Sequence, residues 1–273
     1  MPHLKETLAA HRFDGSRKAR LAKIATSPKH HVAAEEAEMR LQHMIEELNE
    51  LEAKFHADAK KAILVVFQAL DAAGKDGTIR SIFTGLNPQG VQVTAFKQPT
   101  PLELAHDYLW RIHQAVPPKG IIGVFNRSYY EDVTAVRVEK IVPEKEWKKR
   151  FDHINDFERY LLDEDVVILK FFLHISKDEQ RRRFEKRLEN PKKHWKFTMS
   201  DVEKRKSWDA YRESFEDMIN KCSSKDAPWY VIPADDKPYR NLLVAKVLLD
   251  TMRKIGPKFP ESKLDLSRVR IPR

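Results

Sequence analysis

Between Ile63 and Gly77 the chain reads Ile-Leu-Val-Val-Phe-Gln-Ala-Leu-Asp-Ala-Ala-Gly-Lys-Asp-Gly. A run rich in apolar residues stops at Asp71, a turn of small residues follows, and Lys75 stands directly after Gly74. A short apolar run of this kind reads as a buried strand. A strand that hands over through Ala-Ala-Gly to a helix start gathers unpaired backbone N–H groups at one point, and that point attracts anions. Against the phosphate-loop pattern Gly-x4-Gly-Lys-Ser/Thr, Gly74-Lys75 match. Ala69 takes the first glycine position and Asp76 the Ser/Thr position. The hydroxyl that usually holds magnesium is therefore missing, and Asp71 is the substitute source of hard oxygen ligands. Its carboxylate is also placed to orient or deprotonate an attacking phosphate oxygen. The four-residue spacing lets Asp71 and Lys75 approach one phosphate from opposite sides. Taken alone, the stretch is equally open to reading as an ordinary glycine-containing βα turn.

The rest of the chain repeats the strand-then-helix alternation. Strands are expected at 62–68, 91–96, 121–126, 166–174 and 229–232, and helices at 32–60, 76–86, 101–115, 144–162, 176–190, 201–220 and 237–255. Thr100 before Pro101, and Ser176 followed by Glu179, are helix-start signals. Most of the strands are continuous apolar runs, the mark of a parallel sheet covered on both faces. The expected fold is α/β, a three-layer α/β/α sandwich. Residues 1–31, with seven Lys or Arg against Glu6 and Asp14, read as a basic arm. Residues 32–256 read as one domain and 257–273 as a peripheral tail. Right-handed crossovers bring the strand carboxyl ends to one edge. Asp71, Lys97, Asn126-Arg127 and His174 then share one crevice.

Two further clusters carry chemistry. In Gly123-Val-Phe-Asn-Arg-Ser-Tyr-Tyr-Glu-Asp-Val133 the strand ends at Asn126-Arg127. Arg127 has the planar fork that grips phosphate bidentately. Glu131 and Asp132, about one turn on, are candidates for a magnesium site or for pairing with a basic neighbour. Tyr129 and Tyr130 are open to base contact or to packing. Residues 177–206 hold twelve Lys or Arg against six Asp or Glu, broken by Pro191, with Lys192, Lys193 and Lys196 around Trp195. A solvated helix face has this composition. So does a helix–loop–helix lid closing over phosphates and excluding water, and the spread of cations suits a long polyanion.

The net charge of +9 favours an anionic partner without selecting one. The lone Cys222 rules out an intrachain disulfide framework and a cysteine metal cluster. The start Met-Pro-His-Leu-Lys lacks a long apolar segment, and no window approaches the roughly 18 apolar residues of a membrane span. A reduced, cytoplasmic protein without a membrane partner is the expectation.

Taken together, Asp71-Ala-Ala-Gly-Lys-Asp-Gly77, Phe125-Asn-Arg-Ser-Tyr-Tyr-Glu-Asp-Val133, Phe171-Phe-Leu-His-Ile-Ser-Lys177, Arg187-Leu-Glu-Asn-Pro-Lys-Lys-His-Trp-Lys196 and Ala227-Pro-Trp-Tyr-Val-Ile-Pro-Ala234 resemble the polyphosphate kinase 2 family over about residues 35 to 255. The resemblance implies a P-loop-kinase-like sandwich with a helical lid at 177–206. It implies direct in-line phosphoryl transfer from inorganic polyphosphate to AMP, ADP or both, with Mg2+ or Mn2+. Asp71, Lys75 and Arg127 match its catalytic positions, and Ala72, Ala73, Gly74, Asp76 and Gly77 complete the phosphate loop. Lys97, Asn126, Tyr130 and Glu131 fall on the nucleotide side, and Arg183, Arg187, Lys192, Lys193 and Lys196 on the polyphosphate-binding lid. Asp71 and Glu131 are the implied metal ligands. Asn126 and Glu131 resemble the subgroup that takes both mono- and diphosphates. Adenine and possibly guanine nucleotides, and a homodimer or homotetramer, are implied as partners. An ATP-dependent kinase of a small metabolite and a nucleic-acid-binding protein are the competing readings. The first leaves the basic surface unexplained, and the second predicts binding without turnover. His174 leaves open a covalent phosphohistidine route beside the plainer reading of a packed histidine.

Overall fold

The computed structural model describes residues 2–29 and 32–272, with the side chains of Pro2, His3 and Lys196 outside that description. Helix α1 (Pro2–His11) and the two-residue strand β1 (Arg12–Phe13) lead to α2 (Ala34–Asp58). Then come β2 (Ala62–Gln68), α3 (Lys75–Phe83), β3 (Val91–Ala95), the short helices α4 (Pro101–Leu104) and α5 (Trp110–His113), and β4 (Ile122–Asn126). Helices α6 (Ala135–Val138) and α7 (Glu144–Asp163) precede β5 (Val166–His174). The chain continues through α8 (Lys177–Leu188), α9 (Met199–Lys206), α10 (Trp208–Lys221), β6 (Trp229–Pro233) and α11 (Lys237–Ile255).

The sheet order is β1-β6-β5-β2-β4-β3. Every neighbouring pair is parallel except β1 against β6. Successive residues of β2 feed opposite cores. Ile63, Val65 and Phe67 pack toward α2, α3 and α11, whereas Leu64 and Val66 pack toward α7 and α10. Burial on both faces explains why these strands read as continuous apolar runs. The three-layer α/β sandwich expected from the sequence is therefore the observed one.

Three departures have local causes. The helix expected over 101–115 is split: Thr100 and Glu103 form a reciprocal capping box for α4, but Asp107 Oδ1 accepts from Leu109 N at 3.0 Å, an Asx turn that competes with helix. The helix expected over 201–220 breaks at Ser207 (φ −93°, ψ 25°) into α9 and α10. The amino-terminal segment adds β1 to the sheet, pairing Arg12 with Tyr230 and Phe13 with Trp229, and then crosses the carboxyl ends of β5 and β6.

One polar group crosses the core. Lys170 on β5 is fully buried and donates to Glu158 Oε2 (2.6 Å), the Tyr130 hydroxyl (3.2 Å) and Cys222 O (2.5 Å). Glu158 Oε1 also accepts from the hydroxyls of Tyr129 (2.8 Å) and Tyr130 (2.6 Å). Every partner in the group is therefore engaged, which is the condition under which a buried ion pair is tolerated. Glu158→Ala strands the Lys170 ammonium and is expected to cost about 3–5 kcal/mol. The loss should appear as a lower urea midpoint, and the double change Lys170→Met/Glu158→Leu should recover most of it.

Candidate active site

Two strand ends build the site. After β2 the backbone turns left-handed at Ala72 (φ 64°) and again at Gly74 (φ 110°) before α3 begins. After β4, Arg127 is left-handed too (φ 65°), and its N–H bonds back to Phe67 O at 3.1 Å. Non-glycine residues in this region are strained, by about 1–2 kcal/mol each. Here the strain aims side chains: Arg127 Nη2 reaches Asp71 Oδ1 at 2.7 Å. Glu131 Oε2 lies 3.9 Å from Arg127 Nη1. Gln68, the last residue of β2, turns its amide nitrogen to Glu131 Oε1 (2.9 Å) and its oxygen to Ser128.

Lys75 is buried and folds back over the loop, its Nζ donating to Ala69 O at 3.0 Å. Burial, and then Arg127, push its ammonium below the ordinary lysine range, while Asp71 opposes them. Burial alone would raise the Asp71 carboxyl, but Lys75, Arg127, Lys204 and Arg187 together hold it below the usual carboxylate range. Asp71 is therefore an anion ringed by cations, two of them from the lid. Asp201 and Lys204 on α9 and Tyr211 on α10 complete the walls around a space of about 20 Å3, room for little more than one water-sized group. Lys204 Nζ lies 3.0 Å from Glu139 Oε1, and Arg187 Nη1 lies 3.9 Å from Asp201 Oδ2.

Asn126 donates to Asp76 Oδ1 at 2.8 Å, joining the end of β4 to the first turn of α3. Gly77, on that same turn, lies beside Arg240. Lys192 and Lys193 are exposed on the short helical turn Pro191–Lys196 between α8 and α9. The Lys196 side chain lies outside the described residues.

Two placements differ from the expectation. Tyr130 does not face the crevice. Ser128 Oγ caps the turn Tyr129–Asp132, and the Tyr130 ring is fully buried against Trp229. Arg183 does not point to solvent from the lid: it is buried, and its guanidinium donates to loop carbonyls. Lys97 is exposed beyond β3, and no side-chain contact among the described residues joins it to Asp71 or Arg127. Asp132 pairs with Arg150 at 3.0 Å. His174 sits in the wall of a second cavity of about 330 Å3 that meets the first at Leu70 and Phe215. Its Nε2 lies 3.1 Å from Leu21 O and 3.2 Å from Ile24 O, the packed-histidine reading.

The family described as Polyphosphate kinase 2 (PPK2) matches residues 31–260. The chain belongs to the polyphosphate kinase 2 family. It is 53% identical over 229 residues to the AMP/ADP-polyphosphate phosphotransferase of Meiothermus ruber, covering 84% of this chain and 85% of that one. It is 45% identical over 234 residues to the ADP-polyphosphate phosphotransferase of Rhodopseudomonas palustris, covering 81% of each. The crystal structure of polyphosphate kinase 2 from Arthrobacter aurescens superposes with a TM-score of 0.91 at 36% identity, covering 96% of this chain and 94% of that one. The polyphosphate kinase 2 fold is thus present nearly whole, a P-loop-kinase-like sandwich with its lid.

Gln180, whose amide nitrogen donates to Asp71 O at 2.9 Å, was not singled out from the sequence, nor were Gln68, Asp201, Lys204, Tyr211 and Arg240. The one signal for Gln68 was a polar residue ending an apolar strand. For Arg240-Asn241 it was a polar pair opening an otherwise apolar helix.

Asp132 gives a pH signature separable from turnover. Its Oδ2 is buried with no hydrogen-bond partner among the described residues, and burial pushes its carboxyl up to about 6 despite Arg150. Between the unfolded value and about 6 the folded state holds the extra proton, so stability falls as pH rises through that window, by about 2–3 kcal/mol. Urea midpoints at pH 4.5 and pH 7 should show this fall in the wild type and a much smaller one in Asp132→Asn.

Proposed function

We propose that this chain transfers phosphoryl groups from inorganic polyphosphate to AMP and ADP by direct in-line attack. The observation that carries the reading is the Asp71–Arg127 ion pair beside buried Lys75, at the start of α3, with lid cations acting on the same carboxylate. The names of the relatives from Meiothermus ruber and Rhodopseudomonas palustris, an AMP/ADP- and an ADP-polyphosphate phosphotransferase, support it.

Phosphoryl transfer needs little covalent help from the protein. It needs the acceptor held in line and the charge on the transferred group neutralised. In this reading Lys75 and Arg127 supply the neutralising donors, and Asp71 orients the attacking phosphate oxygen. The N–H groups opening α3 receive phosphate. Arg187, Lys192, Lys193 and Lys196 hold the polymer beyond the reacting end. The donor set fits a hard divalent ion: Asp71 and Glu131 offer carboxylate oxygens on either side of Arg127. Among the described residues no three Asp, Glu, His or Cys side chains converge, so the remaining ligands would come from substrate phosphates and water, as magnesium prefers. When bound, Mg2+, or Mn2+ in its place, would supply charge neutralisation on the phosphate oxygens. His174 has no part in this route.

The finer reading adds guanine nucleotides as acceptors, a dimer or tetramer, and a cytoplasmic setting. Light scattering of the purified chain tests the oligomer, and GMP and GDP test the base range.

Purified protein mixed with polyphosphate, magnesium and AMP is expected to form ADP and then ATP with no ATP donor. Absence of product with both AMP and ADP would sink the reading. Asp71→Asn should lower kcat by at least about 100-fold in protein that still folds. Lys192→Ala/Lys193→Ala should raise KM for polyphosphate more than KM for AMP. It should also flatten the salt dependence of the polyphosphate KM, since fewer charge contacts remain to be screened.

A further inference from the structure

Two guanidinium groups lie against the phosphate loop on surfaces closed to solvent. Arg183 on α8 donates Nη1 to Ala72 O (3.0 Å) and Ala73 O (2.8 Å), Nη2 to Ala234 O (2.6 Å) and Asp235 O (3.0 Å), and Nε to Glu179 Oε1 (2.8 Å). Arg240, on the first turn of α11, donates Nη1 to Ala73 O (3.0 Å) and anchors its other nitrogens on Asn241 Oδ1. Arg183 is 8% exposed and Arg240 2%. Burial and the charge of Arg183 both weigh against the Arg240 cation. Like charges packed this closely are unfavourable, so shape alone is a poor reason for the pair.

The geometry shows what the pair does. Ala73 O accepts from both arginines. Because the peptide is trans and planar, a carbonyl held there turns the Gly74 N–H away from both guanidinium groups. That leaves the donor available to an incoming phosphate oxygen. Gly74 has φ 110°, and a Cβ on it would stand 2.1 Å from Arg240 Nη1. The loop thus rests directly on the guanidinium.

We infer that Arg183 and Arg240 are positioning residues for phosphoryl transfer. They clamp Ala72–Gly74 in its phosphate-receiving shape, and Arg183, reaching from the first lid helix, ties that shape to the lid. Arg240 acts through the backbone of the loop and not on substrate. The inference rests on the reading of the loop as the phosphate site.

The test uses the full chain with polyphosphate, magnesium and ADP. Arg240→Ala should lower kcat about 100-fold and change KM for ADP less than about threefold. Guanidinium ion, well below denaturing concentration, should restore part of the Arg240→Ala rate and leave the wild type unchanged. Arg240→Lys, which keeps the charge and one donor, should fall between them at a thermal midpoint close to the wild type's. Leu243→Ala, in the apolar core on the same helix, is the stability control and should keep its kcat. The inference is overturned if Arg240→Ala and Leu243→Ala lose kcat equally per folded molecule, or if guanidinium restores nothing. A wild type without turnover refutes the proposed function instead.

Discussion

The candidate site depends first on where β2 ends. That strand is paired on both sides, to β4 and to β5, and buried on both faces. It therefore has little freedom to shift: a slip by one residue would exchange the side chains fitted to its two cores and break both ladders. The parallel register sets Phe67 opposite Asn126 and Gln68 opposite Phe172. The loop after β2 and the turn after β4 thus leave the sheet at the same level. The left-handed residues Ala72 and Arg127 are affordable only because this frame over-determines them. Asp71 and Arg127 meet because two strands stop together.

How much of this is readable in the chain follows from the same physics. Strands buried on both faces must be continuous apolar runs, so β2, β4 and β5 are legible almost to the residue. Asp71, Lys75 and Arg127 are legible because they interrupt those runs where a strand meets a helix. What fails to be legible depends on partners distant in sequence. Arg183 looks like any other cation of Arg181-Arg-Arg, and only its burial under the loop separates it. Tyr130 follows a site residue closely, yet the turn capped by Ser128 rotates it into the core against Trp229. The break at Asp107 is a local side-chain bond that a periodicity count does not see. Strand β1, two residues long, carries no periodicity at all.

The lid also looks different once its charges are followed. Arg181 pairs with Glu185 and Arg182 with Glu179, one turn away on α8. Lys206 pairs with Glu203 on α9. Exposed pairs of this kind contribute little stability, but they take up part of the basic excess counted in residues 177–206. The exposed cations Lys192 and Lys193 stand on the turn between the helices, while Arg187 and Lys204 lean inward and act on Asp71. Cations of this segment thus stand both at its tip and toward Asp71.

The pairing of β1 with β6 bears on how the chain comes to be assembled. Arg12 pairs with Tyr230, more than two hundred residues away, so this edge of the sheet closes only after the chain has been synthesised beyond Tyr230. Contacts between residues so far apart form late and slow folding. Until then the β6 side of the nascent sheet would offer unpaired backbone groups to other chains. The protein's first strand is thereby one of the last to find its place.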